Sequence, residues 1–532
     1  MDDILIRGGE VVDGSGAPGR VADVAIRDGR ITAIEENYPG GAETVIDAEG
    51  RVVAPGFIDI HTHSDFTLPL NPKAECKIRQ GVTTEVVGNC GFSVAPALPG
   101  KVEMLRDYLA ASAPWLPFEE TDFARYMETW PDLSLNTVMQ AGHNTLRLMA
   151  MGMEDRDPSD GELRHMQEML AEALEAGALG LSSGLFTAPG CYAKPEEVLA
   201  LARVVQAHGG RYSSHVRDES HEVHEAVAEA IDVGEQCGIH VQVAHLKLSG
   251  TGRWGEADKL LAQFTEARAR GVDVHCDQYP YDWATNPLRF LLPVWLQEGG
   301  IDAMLERLVD PETRSRVRQK IAEVGFNNFG HIESWDDIRI ANSPGAVEPG
   351  KTIAEIAAER DCDPLEAVFD IVVEDRGGTR ILVRSMSEED VRRIAAEPSM
   401  TVGSDGPCVA PYGVTSQGKP HPRLYGTFPR VLGRYAREQG LLSLPQAVAK
   451  MTGNAAAALG MSDRGLLREG WAADVVLFDA ETIRDEATFD EPHTYPAGVE
   501  TVIVNGRVVI HRGEHTGALP GQLLRRREGV LG

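Results

Sequence analysis

No apolar run in this chain approaches the roughly 18 residues that a membrane-spanning helix needs, so no spanning segment is expected. Basic residues are in short supply: 51 Lys and Arg stand against 81 Asp and Glu, a formal charge of −30. No Lys/Arg cluster offsets that excess, which disfavours attraction to phosphate backbones or anionic lipid; neither nucleic acid nor a membrane is expected as a partner. The N-terminus, MDDILIRGGE, has no basic region followed by an apolar one and does not read as a signal peptide, so the expected location is cytoplasmic. Cysteine is sparse and odd in number. The seven, at 76, 90, 191, 237, 276, 362 and 408, are spread too widely for a disulfide framework and read as reduced thiols, most of them small buried apolar residues. Also missing are internal repeats, low-complexity segments and any glycine-rich phosphate fingerprint after a strand.

What is present is globular: 42% hydrophobic and 25% charged residues in 532, more than one ordinary core requires. Residues 1–54 alternate apolar and polar with turn punctuation (DILIRGGEVVDGSG, ADVAIRDGRITAIEE), and residues 467–532 repeat the pattern in WAADVVLFDAETI and GVETVIVNGRVVIHRGEHTG. Each piece alone has too few strands to close a core, so a small β-sandwich domain built from both chain ends is expected. Between them, residues 55–466 change to apolar strand, polar turn and long helix, as in GALGLSSGL followed by KPEEVLALARVVQAHG. Repeated right-handed βα units of this size predict a (β/α)8 (TIM) barrel, with a doubly wound open sheet as the alternative that the absent fingerprint disfavours. Residues 286 to about 350 break the rhythm and read as an insertion late in the barrel, a lid or pocket wall.

The chemistry-bearing residues fall at strand ends. In APGFIDIHTHSD, His61 and His63 project to one side of a strand, where two imidazoles can share an ion. SSHVRDE, VAHLKLSG and VGSDGP place His215, His245 and Asp405 where strands meet polar turns. Barrel strands all open onto one face, so these residues converge on a single rim. The stretch VVGNCGFS adds Cys90 to that rim, and a thiolate beside histidines is a strong ligand for Zn²⁺.

HTHSD after PGFID, the lone Asp of GSDG and the β strands from both chain ends resemble the amidohydrolase superfamily of metal-dependent barrel hydrolases. Within it, GNCG, SSHVRDE, AHLK, DQYPY, HPRLYGTFPRVLGRY and KMTGNAAAALG are similar to the D-aminoacylase branch, the N-acyl-D-amino acid deacylases, from about residue 3 to 510. The resemblance implies zinc-dependent hydrolysis of an N-acyl-D-amino acid to a carboxylate and a free D-amino acid. It implies that Cys90, His215 and His245 form a tight zinc site and that His61 and His63 form a weaker one bridged by Cys90. Asp405 would then be the catalytic carboxylate and Tyr279 of DQYPY the donor to the scissile carbonyl, while Lys247 and Arg423 would bind the substrate carboxylate. A cyclic amide hydrolase or dipeptidase of the same superfamily is the neighbouring reading, and a non-catalytic scaffold on the same fold the remote one.

Two departures bear on substrate preference. Thr187 stands where the branch often has a tyrosine that helps hold the carboxylate, and Tyr192, five residues on, is the candidate to fold back into its place. In AHLK, Leu246 replaces a histidine common among relatives, which alters the pocket wall. For His143 a supporting hydrogen bond and direct contact with the site explain its place equally well, and Arg289 reads as a surface residue; side-chain preference, the number of metals and the oligomeric state stay open.

Overall fold

The computed structural model describes residues 1–527 and 530–532. Among these, eight parallel strands form a barrel wall: Phe57–Asp59, Val82–Val87, Asn136–Met139 continued by Ala141–Gly142, Gly180–Gly184, Arg211–His215, Val241–Val243, Val274–Gln278 and Met400–Val402. The third strand joins the two halves of the wall, pairing with the second through Asn136–Met139 and with the fourth through Ala141–Gly142. The ring closes between the eighth strand and the first, where the Asp405 N–H donates to the His61 carbonyl at 2.8 Å and Thr62 bridges to Gly406. The expected barrel is thus present, and its strand ends share one face.

The outer helices follow from amphipathic spacing. Val223–Cys237 buries Val223, Ala226, Val227, Ala230, Ile231, Val233, Gly234 and Cys237, a stripe at helical period. Asp160–Glu175 starts at a capping box in which Ser159 and Glu162 satisfy each other's backbone N–H groups.

The chain leaves the barrel after Gln278 and returns at Met400. The irregular stretch expected from 286 to about 350 lies inside this longer excursion. There, Trp283–Pro287, Arg380–Arg384 and Ile338–Asn342 form an antiparallel three-stranded sheet. Its helices include Pro311–Val324 and Pro364–Glu374.

Both chain ends build the small β domain. Val475–Phe478 pairs antiparallel with Val52–Pro55, which joins the C-terminal strands to Asp2–Val11, Arg20–Arg27 and Arg30–Glu35 in one nine-stranded sheet. Asp2–Val11 shifts register between Ile6 and Gly9, pairing with Ala42–Asp47 before the shift and with Val52–Pro55 after it. The sheet encloses a core that includes Ile4, Val24, Ile46, Val53, Val475 and Ile503.

The last residues do not stay in that domain, a departure from the assignment of 467–532 to the terminal unit. Leu523–Leu524 instead adds beside Asn136–Met139 of the barrel. The physical reason is apolar: Leu524 and Leu531 pack with Ile58, Val86 and Val138 on the barrel strands and Leu179 just before the fourth, together with Leu459 and Met461. Leu524→Ala is therefore expected to cost about 2–4 kcal/mol of stability, read as a lower urea midpoint; an unchanged midpoint would mean the tail is not part of the core. Among the described residues, no helix is long and apolar enough to cross a membrane.

Candidate metal centre

Cys90 owes its position to the turn GNCG. Gly88 and Gly91 flank it with φ of +77° each, and Cys90 itself sits at +55°. A Cβ on Gly88 would lie 2.2 Å from the Gln140 carbonyl oxygen, and one on Gly91 2.2 Å from Asn144 Oδ1, so the turn packs too closely for side chains there. His245 and Asp405 also adopt left-handed conformations, with φ of +34° and +49°. Such a backbone costs roughly 1–3 kcal/mol per non-glycine residue, and three instances at three strand ends mark a site that the surrounding fold holds in place.

These turns bring the donors together. Cys90 Sγ lies 3.2 Å from His61 Nε2 and 3.3 Å from His245 Nε2. Asp405 Oδ1 lies 3.7 Å from His61 Nε2 and 3.2 Å from His63 Nε2. Ligand atoms of His61, Cys90, His245 and Asp405 all fall within 4.8 Å of one another, and so do those of His215, Glu219 and His245. His245 is common to both groups. Its ring centroid is 4.3 Å from that of His215, which stacks on Phe186 at 3.8 Å.

The donor set fits a borderline-soft cation. Burial, and next the Lys247 ammonium, hold His245 well below the usual imidazole range; burial does the same to His215, so both rings are neutral, the form that ligates. Burial pushes the Cys90 thiol up to about 11, against the pull of His61. A thiolate at this spot needs a metal's charge beside it.

Two carboxylates missed in the sequence hold the imidazoles. Asp277 Oδ1 lies 3.2 Å from His61 Nδ1, which turns His61 Nε2 toward Cys90, and accepts from the His245 backbone N–H at 2.8 Å. Glu219 Oε1 lies 2.9 Å from His245 Nδ1 and accepts from Lys247, while its Oε2 accepts from Asn328 at 2.8 Å. Local signals existed for both: Asp277 sits two residues before Tyr279 in DQYPY, and Glu219 four after His215 in SSHVRDE. Asn328, which also lies 3.2 Å from His215 Nε2, comes from the excursion and left no such signal. Glu219→Gln would remove the charge that offsets Lys247 and orients His245. A 10- to 100-fold loss of metal affinity is expected in a competitive chelator titration, and undiminished affinity would separate Glu219 from the centre.

The centre opens into a cleft of about 1130 Å³, its mouth included, lined also by Lys247, Tyr279, Arg380 and Arg423. Arg423 Nη2 donates to the Asp405 backbone carbonyl and lies 3.0 Å from its Oδ2, while Nε and Nη1 are buried without partners among the described residues. The Tyr279 ring lies 4.3 Å beneath that guanidinium, and its hydroxyl is likewise buried and, among the described residues, unpartnered. Burial pushes the Tyr279 phenol up to about 12, which keeps it a donor at neutral pH.

Tyr192 is not brought to the cleft. The chain turns through Gly190–Tyr192, and the Tyr192 hydroxyl donates to the Val294 carbonyl at 3.1 Å, while Thr187 donates to Gln297 at 2.8 Å. Neither residue lines the cleft, so Tyr192 does not replace the tyrosine missing at 187. His143 pairs with Glu197 at 2.8 Å, away from the centre. Arg289 is not at the surface: it is buried, donating to the carbonyls of Gly377 and Tyr108.

Comparison with known proteins accords with this geometry. The model of the family described as "Amidohydrolase family" matches residues 44–510, most of the chain. The chain belongs to the amidohydrolase family. An N-acyl-D-glutamate deacylase of Alcaligenes xylosoxydans xylosoxydans is 39% identical over 100% of this chain and 98% of its own. The solved N-acyl-D-glutamate deacylase of Bordetella bronchiseptica, complexed with zinc and a phosphonate mimic of the tetrahedral intermediate, is 37% identical with a TM-score of 0.83, covering 99% of this chain and 100% of its own. A D-aminoacylase described as having a binuclear metal centre, with activation by one metal and attenuation by the second, is 34% identical with a TM-score of 0.82 and the same coverage. An amidohydrolase with these relatives acts on amide bonds, and its barrel carries the donors for that chemistry on one rim.

Proposed function

We propose that the protein hydrolyses N-acyl-D-amino acids with zinc, releasing a carboxylate and a free D-amino acid. The observation that carries this reading is the convergence of Cys90, His61, His245 and Asp405 donors in the cleft that also holds Tyr279 and Arg423. Preference for the D form rests on the relatives at 34–39% identity.

Cys90, His215 and His245 would hold one zinc ion; His61 and His63 would hold a second, with Cys90 shared between them. Bound Zn²⁺ supplies a Lewis acid that polarises a carbonyl and lowers the pKa of water from 15.7 to about 7. The remaining steps belong to side chains. Asp405 takes the proton of the attacking water and hands it to the leaving nitrogen, which departs poorly as an anion. The unspent Tyr279 hydroxyl donates to the oxygen on which charge develops, a contact of a type worth a few kcal/mol in a dry site. Arg423, whose Nε and Nη1 have no partner among the described residues, offers the α-carboxylate a charge and a free N–H donor, with the Lys247 ammonium beside it.

The test is amine release by zinc-loaded protein from N-acetyl-D-amino acids, N-acetyl-L-amino acids, dipeptides and hydantoins, repeated after chelation. Release from the D series, lost with chelator and regained with zinc, is expected. Turnover confined to hydantoins would make the protein a cyclic amide hydrolase instead.

A further inference from the structure

Three basic side chains other than histidine line the cleft, and two have carboxylates: Lys247 pairs with Glu219 and Arg423 with Asp405. Arg380 has none among the described residues. It opens the strand Arg380–Arg384 and pairs across the excursion's sheet with Pro287 and Asn342, and both of these also line the cleft. Its one side-chain partner there is the Ser112 hydroxyl, which accepts from Nη1 at 2.7 Å. A guanidinium offers five N–H donors in a planar fork, so most of the group is unspent. Burial, and next the field of Arg423, push Arg380 down to about 10, the direction for a cation packed near another cation without enough anion. A chain carrying −30 overall has no shortage of carboxylates for this arginine, yet the fold gives it none.

We propose that Arg380 receives a second carboxylate, the side chain of an acidic N-acyl-D-amino acid, so that the cleft selects dianionic substrates. This rests on the deacylase reading above. Two arginines then divide the substrate, Arg423 taking the α-carboxylate and Arg380 the side-chain carboxylate, whose two oxygens fit the unspent Nε/Nη2 edge of Arg380. Asn286 and Asn342 supply amides along the same wall.

The test compares kcat/KM for N-acetyl-D-glutamate with N-acetyl-D-glutamine, and for the aspartate with the asparagine pair, in zinc-loaded wild type, Arg380→Met and Arg380→Lys. Acid and amide match in size and differ in charge, so their ratio isolates the ionic contact. In wild type at least one pair should favour the acid by roughly 10²-fold, the scale of a desolvated charge pair. In Arg380→Met that ratio should fall to near unity, mainly through KM, and Arg380→Lys should restore part of it, with zinc content and thermal midpoint unchanged. Arg380→Gln replaces the Met variant should that one not fold. An acid preference that survives the loss of Arg380, or a wild type that favours the amides, overturns the proposal. Turnover of N-acetyl-D-methionine with none of the acids overturns it alone, whereas no turnover of any N-acyl-D-amino acid removes the deacylase reading with it.

Discussion

Asp405→Asn is expected to keep its zinc and lose roughly 10²- to 10⁴-fold in kcat, the range spanned by positioned acid–base groups. Burial alone would raise the Asp405 carboxyl, but the Arg423 charge first, and the hydrogen bond from His63, hold it well below the usual carboxylate range. It is therefore ionised at neutral pH and available to accept a proton, which an amide cannot accept or return. The exchange preserves shape, and Arg423 keeps its bond to the backbone carbonyl of residue 405, so the substrate's anchor stays near its place. In the proposed site, Cys90, His215 and His245 would remain to hold the ion. The measurements are zinc content by atomic emission and kcat in a steady-state assay. A variant with full zinc and near-normal turnover would remove Asp405 from the mechanism, and one without zinc would make it chiefly a ligand.

Cys90→Ala should instead lose zinc, and activity with it. An imidazole's supporting partner is worth 10- to 100-fold in metal affinity, and removal of the shared sulfur should exceed that. The substitution is mild for the backbone, because alanine is no worse suited than cysteine to the φ of +55°. The barrel should therefore fold, with a melting profile close to that of metal-free wild type. Cys90→Ser sharpens the result: a hydroxyl has the place but not the soft anionic donor, and zinc should bind far more weakly than to wild type. Full zinc binding by Cys90→Ala would show that the sulfur is not a ligand.

How much of this could be read from sequence depended on distance along the chain. His61 and His63 needed only the two-residue period of a strand, and His215, His245 and Asp405 only the rule that barrel strands end on one rim. Asp277 and Glu219 act through the far nitrogens of His61 and His245, and no periodicity marks such a role. Ser112 and Arg380 reach the cleft, and Asn328 reaches His215, from segments whose placement depends on tertiary pairing. Tyr192 shows the converse: it is five residues from Thr187, yet its hydroxyl is spent on Val294. The insertion expected to end near residue 350 runs on to Met400, and the reason this was not legible is that Pro364–Glu374 followed by Arg380–Arg384 has the helix–strand rhythm of a barrel unit. Only its antiparallel pairing with Trp283–Pro287 sets it apart, and side-chain pattern does not encode strand direction. The tail from Leu523 to Leu531 was assigned to the terminal β domain by position in the chain, whereas the exposed floor of the barrel core decides where its leucines go.

The central claim is that a sulfur and imidazoles from separate barrel strands surround one ion. X-ray absorption at the zinc edge of the loaded protein tests it most directly. A sulfur at about 2.3 Å together with nitrogens at about 2.0–2.1 Å is expected, the sulfur vanishing in Cys90→Ser. A spectrum of oxygen and nitrogen neighbours without sulfur in the wild type would contradict it.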